Sequence, residues 1–239
     1  MTRLAIWKSI ADTLSGEISA NRYGPGDKLP TEAELAARFG VNRHTVRHAI
    51  AALVAAGTVH SRRGAGVFVT ATPTEYALGR RVRFHQNVMA SGRTPSRQIL
   101  RLETCAADAR ETAALALHPG ALVHVIEGLS FADAAPLAVF RSVFPAARFA
   151  GLLEVMGRLQ SITAALAELG LADYTRASTA ITAVSADPLL ALHLRLATGA
   201  AVLRSVAVNV DLAGVPVEFG TTWFAGERVT LTVPGEQLA

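Results

Sequence analysis

TEAELAARFGVNRHTVRHAIAALVAA, residues 31–56, decides how the rest of the chain is read. Thr31 offers a hydroxyl cap and Glu34, three residues on, answers it, which is the spacing of a capping box. Leu35 and Phe39 give this short helix an apolar side, and Gly40 sits where a positive φ would end it. Asn42 caps a second helix in which Val46, Ala49, Ile50 and Leu53 recur at i, i+3, i+4 and i+7. Turning those four inward puts His44 and His48 on the opposite face, with Arg43 and Arg47 one turn apart on a flank. Two short helices joined by a tight glycine turn, the second apolar on one side and basic on the other, make a helix-turn-helix. Such a second helix fits a DNA major groove with its N-terminal residues at the base edges. An amphipathic pair with a merely solvated basic face is the alternative, and the flanking segments argue against it.

Upstream, Ile6, Trp7, Ile10, Leu14 and Ile18 recur at helical spacing, which predicts a supporting helix over residues 3–20. YGPGDKLP (23–30) is turn chemistry. It leaves Lys28 and Thr31 at a helix N-terminus, where a DNA phosphate can be held. Downstream, a strand beginning at Thr58–His60, the turn SRRGAG (61–66) and a return at Val67–Val69 predict a two-stranded wing. Arg62 and Arg63 stand at its tip, and the glycines permit close approach.

Charge follows this division. Residues 1–72 hold nine Lys+Arg against five Asp+Glu, whereas the remainder holds fourteen of each, so the net +4 sits in the first third. A basic module joined to a larger neutral one points to a nucleic-acid reader fused to something else. A hydrophobic content of 51% excludes a disordered chain, and no apolar run approaches the roughly 20 residues of a membrane span. The N-terminus has no signal-peptide pattern, so a cytoplasmic location is expected. Cys105 is the single cysteine, which rules out an internal disulfide and a cysteine-cluster metal site. No His/Asp/Glu spacing suggests a metal and no phosphate loop suggests nucleotide hydrolysis, so neither metal nor cofactor is expected.

Residues 71–79 (ATPTEYALG) lack apolar periodicity and read as a linker between domains at 1–70 and 80–239. Beyond it, Asp108 caps a helix through Leu117, and strands at Ala121–Ala132 and Leu137–Phe144 flank a turn at Asp133–Pro136. The plan recurs: Asp187 and Pro188 open a helix to Ala197, then Gly199, a strand to Asp211, a turn and a strand from Val217. The offset is 79 residues, an internal duplication. Ser161–Leu169 reads as a helix and Tyr174–Val184 as a strand. Helix-then-hairpin twice over implies one antiparallel sheet with helices on one face, an α+β architecture.

The stretch LPTEAELAARFGVNRHTVRHAIAALVAAGTVHSRRGAGVFV (29–69) resembles the winged helix-turn-helix of GntR-family bacterial transcription regulators. The two helix-and-hairpin units, with FADAAPLAVFRSVFP and NVDLAGVPVEF, resemble the chorismate-lyase-like (UTRA) effector domain of the HutC branch. Within that branch, VNRHT together with VRFHQNVMASGRTPS (82–96) is similar to the PhnF-type regulators of phosphonate metabolism. The resemblance implies that Arg38, Arg43, Thr45 and Arg47 contact bases or phosphates and that Gly64 and Gly66 belong to the wing. It also implies a homodimer on a palindromic double-stranded operator. Two small identical modules need a two-fold site on physical grounds as well.

For the effector domain the resemblance implies an entry loop at Phe84 and His85, a phosphate-binding serine and threonine at Ser161 and Thr163, a polar contact at Glu218 and an aromatic position at Phe224. Sugar-phosphate-sensing relatives carry an Arg-x-Arg pair where this chain has Gly128 and Ser130, and a glutamate where it has Phe140, so an amino-sugar phosphate is disfavoured. Arg141 offers a cation whose direction strand alternation leaves open. Ser161 also reads as a simple helix cap, whereas Glu218 in an apolar strand needs a partner. Six arginines, at 80, 81, 83, 93, 97 and 101, have no acid between Glu75 and Glu103 and read either as a steering field or as a solvated edge. The expected function is a repressor of phosphonate- or phosphate-related genes, released by a small anionic effector. The alternatives are a relative sensing another metabolite (a sugar phosphate, a histidine-pathway intermediate or a fatty acid) and a chorismate-lyase-like enzyme.

Overall fold

The computed structural model describes residues 6–20, 22–62, 64–70, 73–81 and 84–233. Its contacts divide the chain into two units, 1–72 and 73–239.

In the first unit, α1 (Ile6–Ser19) supports α2 (Glu32–Phe39) and α3 (Arg43–Ala55). The caps form as the sequence predicts. The Glu34 amide donates to Thr31 Oγ1 at 3.3 Å, and the Thr31 amide donates to Glu34 Oε2 at 2.7 Å. Gly40 ends α2 at φ 64°, and Asn42 Oδ1 accepts the Thr45 amide at 2.8 Å to start α3. Val46, Ala49, Ile50 and Leu53 are all buried, packed on Ile10, Leu14 and Leu35. Each such large side chain removed from water contributes about 1.5–3 kcal/mol. β1 (Val59–Arg62) and β2 (Gly66–Val69) form the antiparallel wing, with Val59 opposite Val69 closing it onto that core.

The second unit begins inside the stretch expected to be a linker. Thr74–Ala77 is strand β3, because it pairs in parallel with the last strand, and Tyr76 is buried on Phe224. The remaining elements are α4 (Phe84–Ala90), β4 (Pro95–Ala106), α5 (Ala109–Ala114), β5 (Leu122–Ala132), β6 (Ala135–Pro145), α6 (Leu152–Leu159), α7 (Ile162–Glu168), β7 (Thr175–Ser185), α8 (Pro188–Leu194), β8 (Ala201–Val210), β9 (Pro216–Ala225) and β10 (Val229–Thr232). β4 to β9 form one antiparallel sheet in the order β4-β5-β6-β9-β8-β7. The duplication therefore also covers a strand before each helix: β4-α5-β5-β6 answers β7-α8-β8-β9, and the last strands of the two copies meet in the middle. Asp108 and Asp187 cap the equivalent helices at 2.8 Å, and Ala116 and Arg195, 79 residues apart, end them with left-handed φ of 52° and 51°. Both helices stop short of the expected Leu117 and Ala197 for that reason.

Helices cover both faces of the sheet, not one. Phe140 and Ile126 pack under α6 and α7, whereas Val125 and Val143 pack under α5 and Val139 and Trp223 under α8. Residues paired across antiparallel ladders share a face. The α6/α7 face therefore carries Arg97, Ser130, Ala138 and Phe224 in one row and Arg176, Asn209 and Glu218 in another.

Candidate nucleic-acid interface and effector site

The outer side of α3 presents Arg43, His44 and Arg47 to solvent. Arg47 is held by Glu32 of α2, through Nε to Oε1 at 3.0 Å and Nη2 to Oε2 at 2.7 Å. These bonds keep the Glu32 carboxyl below the usual glutamate range. The Thr45 hydroxyl donates to Asn42 Oδ1 at 2.9 Å and so serves the cap. Arg38 is clamped to Glu17 of α1 by two hydrogen bonds and lies over the Phe39 ring, which ties α2 to α1. His48, one turn on from His44, is exposed as well, and its ring lies 5.0 Å from that of Trp7.

Lys28, Thr31, Glu34 and Arg38 line a shallow cavity of about 610 Å³ at the start of α2. Thr31 gives both its amide and its hydroxyl to Glu34, so of the two residues expected to hold a phosphate there, Lys28 has the freer group. In the wing, Arg62 stacks on Phe68 at 4.9 Å and Gly64 takes φ 76°. Gly66 takes φ 121°, a backbone conformation that other residues rarely adopt. Arg63 lies outside the described residues.

In the second unit, the α6/α7 face of the sheet brings together groups far apart in sequence. Glu218 and Asn209 are buried opposite each other, and Asn209 Nδ2 donates to Glu218 Oε2 at 2.7 Å. Arg176, one strand further, reaches Asn209 Oδ1 from Nε at 3.5 Å. From the other edge, Arg97 lies between two rings, 5.1 Å from the Phe84 centroid and 4.8 Å from that of Phe140. Its Nε is buried and finds no acceptor among the described residues. Burial pulls the Arg97 guanidinium below its ordinary value, while Tyr76, Glu218 and Tyr174 act against that. Burial pushes the Tyr76 phenol up, opposed by Arg97 and Arg176 and reinforced by Glu218. Two cations and one anion from three strands thus act on the Tyr76 phenol.

The residues expected at this site divide. Phe84 is one of the rings on Arg97, and His85 meets Phe84 edge-on, its imidazole kept toward the neutral form by desolvation and then by Arg97. Ser130 is buried directly opposite Arg97, and Phe224 supports Tyr76 at 5.1 Å. Ser161 caps α7, accepting the Ala164 amide at 3.4 Å, and Thr163 Oγ1 lies 3.3 Å from the Tyr174 hydroxyl. Arg141 is a correction. It stands on the opposite face, 2.7 Å from Glu111 and 3.2 Å from Glu127, because Phe140 beside it takes the α6/α7 side. The arginine run divides too. Arg81 pairs with Asp173, Arg93 with Asp133 and Arg101 with Glu103, and Arg80 is exposed, whereas Arg97 joins the site; Arg83 lies outside the described residues.

The sequence named Arg97 only as one of a run of six arginines, and it did not single out Arg176, Asn209, Tyr76 or Tyr174. A β-bulge between Ile99 and Arg101 sends Arg97 and Arg101 to opposite faces, which simple alternation would have placed together.

Residues 7–69 match the model of the bacterial regulatory proteins of the gntR family, and residues 90–230 match the UTRA domain. The chain belongs to the GntR family. It is a transcriptional regulator with a UTRA domain, of the HutC and PhnF type. A GntR-family chain of this kind binds DNA through its first unit and a small-molecule effector through its second. An uncharacterised HTH-type transcriptional regulator of Rhizobium meliloti is 38% identical over 96% of this chain and 95% of its own length. The HTH-type transcriptional repressor PhnF of Mycolicibacterium smegmatis is 28% identical over 87% of this chain and 84% of its own. The crystal structure of PhnF from Mycobacterium smegmatis superposes with a TM-score of 0.67 at 25% identity, covering 95% of this chain and 97% of that one. Among the described residues, no helix is long and apolar enough to cross a membrane.

Proposed function

We propose that this GntR-family regulator is a repressor of phosphonate- or phosphate-related genes, released from a palindromic operator by a small anionic effector. The observation that carries the reading is Arg97: a guanidinium on the α6/α7 face of the sheet, lying against the Phe84 and Phe140 rings, its Nε without an acceptor among the described residues. A half-buried cation whose inner nitrogen finds no acceptor among the described residues is short of a counter-charge, and an anionic ligand supplies one. The likeness to PhnF repressors, together with the sequence resemblance to regulators of phosphonate metabolism, supports the phosphonate class.

The chain acts as a homodimer, with Arg43, His44 and Arg47 of each copy at a half-site and the wings on the backbone. Effector binding favours a dimer arrangement whose recognition helices no longer match the half-site spacing. It does so by as much as the effector's affinity differs between the two arrangements. Operator affinity, measured with and without phosphate and a panel of alkylphosphonates, tests this. At least one of them weakens operator binding; unchanged affinity with all of them would exclude this ligand class.

A further inference from the structure

The duplication sets Arg97 and Arg176 at equivalent places, 79 residues apart on β4 and β7. Ser130 and Asn209, again 79 apart, face them across the ladder. One strand further the copies differ: Glu218 stands opposite Asn209, but Ala138 stands opposite Ser130. The second copy therefore completes a chain of guanidinium, amide and carboxylate, at 3.5 and 2.7 Å. The first copy holds a guanidinium with no acid behind it.

Glu218 is itself only half answered. Its Oε2 accepts from the neutral Asn209 amide, and among the described residues no Lys or Arg nitrogen lies within ion-pair distance of it. A carboxylate accepts several hydrogen bonds, and a neutral donor leaves its charge in place. Arg97 and Glu218 share the α6/α7 face of the sheet and make no ion pair with each other, so a molecule carrying both charges would answer both groups.

We infer that the effector is a small zwitterion whose anionic group is received by Arg97 beside Ser130 and whose ammonium group is received by Glu218. An amino-alkylphosphonate or an amino-alkylcarboxylate has this form. Two guanidiniums and one carboxylate leave the site one positive charge in excess. A doubly ionised phosphonate bearing one ammonium cancels that excess, whereas the des-amino compound leaves Glu218 facing an uncharged alkyl end. The inference rests on the effector-site reading above and narrows its ligand class.

Calorimetric titration of the full-length protein with two matched pairs tests it: 2-aminoethylphosphonate against ethylphosphonate, and β-alanine against propionate. The amine-bearing member of at least one pair binds ten-fold or more tightly than its partner, and which pair does so identifies the anion. In Glu218→Gln, which keeps the bond from Asn209, that gap closes, with unfolding of the ligand-free variant confirming that it is folded. Equal binding within both pairs, or a gap that persists in Glu218→Gln, overturns the zwitterion while leaving the site as an anion receptor. No binding by any of the four overturns the site reading as well.

Discussion

Arg47 of α3 is fixed by Glu32, the first residue of α2 after its Thr31 cap, through paired hydrogen bonds of 3.0 and 2.7 Å. The Arg47 side chain is 62% exposed, so the pair adds little to folding. Its effect is directional: one of the two cations on the flank of α3 is aimed before DNA arrives, and a negative charge sits beside it.

Replacing Arg47 by Ala should weaken binding to the chain's own operator by about 1–3 kcal/mol if the side chain reads a base, with a smaller loss on random duplex. Glu32→Gln should do something different. It removes a charge that repels phosphate and frees Arg47, so binding to random duplex tightens and the operator-to-random ratio narrows. Fluorescence anisotropy with both duplexes at two salt concentrations measures each effect.

Acid should loosen the first unit through Glu17. Hydrogen bonding to Arg38 holds its carboxyl below the ordinary 4.5, outweighing desolvation. A depressed folded value means the stabilisation is fully present above 4.5 and is lost as pH falls through the depressed value. Thermal unfolding of the wild type followed from about pH 6 to about pH 3 should fall more steeply than that of Glu17→Gln. Parallel curves would remove this pair from the acid response.

Gly128 is a packing requirement. A Cβ there would lie 2.4 Å from the Gln98 carbonyl oxygen and 2.9 Å from two Phe140 ring atoms. Gly128→Ala should therefore destabilise the second unit by about 1–3 kcal/mol and displace the ring that supports Arg97. Gly220→Ala, whose nearest contact would be Glu218 Oε1 at 3.5 Å, should melt near the wild type. Calorimetric melting of the two variants separates them.

Arg141→Ala should lower stability rather than ligand affinity. Glu111 is only 2% exposed and relies on Arg141 at 2.7 Å, so the substitution strands a buried carboxylate at a cost of about 1–3 kcal/mol. A lower melting temperature with an unchanged ligand titration is the expected pair of results. The reverse pair would return Arg141 to the effector site.

The first unit was legible because its signals are local. Thr31 with Glu34, Gly40, and Asn42 before an apolar 3.6-residue repeat each specify their own turn, and the caps appear where those residues stand. The 79-residue repeat was legible for a related reason, since Asp108 and Asp187 cap their helices alike. β3 was lost in the expected linker because its partner, β10, lies more than 150 residues away and short parallel pairing leaves no local pattern. In the site, Glu218 was legible because a carboxylate in an apolar strand demands a partner. Arg97 and Arg176 were not. Both lie beside β-bulges, between Ile99 and Arg101 and between Arg176 and Ser178, where counting alternate residues gives the wrong face.

The unequal pair at Ala138 and Glu218 has a consequence for how such a sensor changes its allegiance. Arg176 reaches an acid through the Asn209 amide, whereas Arg97, facing Ser130 and then Ala138, has no such relay. Small side chains exchanged at positions 130 and 138 would change what Arg97 lacks, and with it the message the chain obeys.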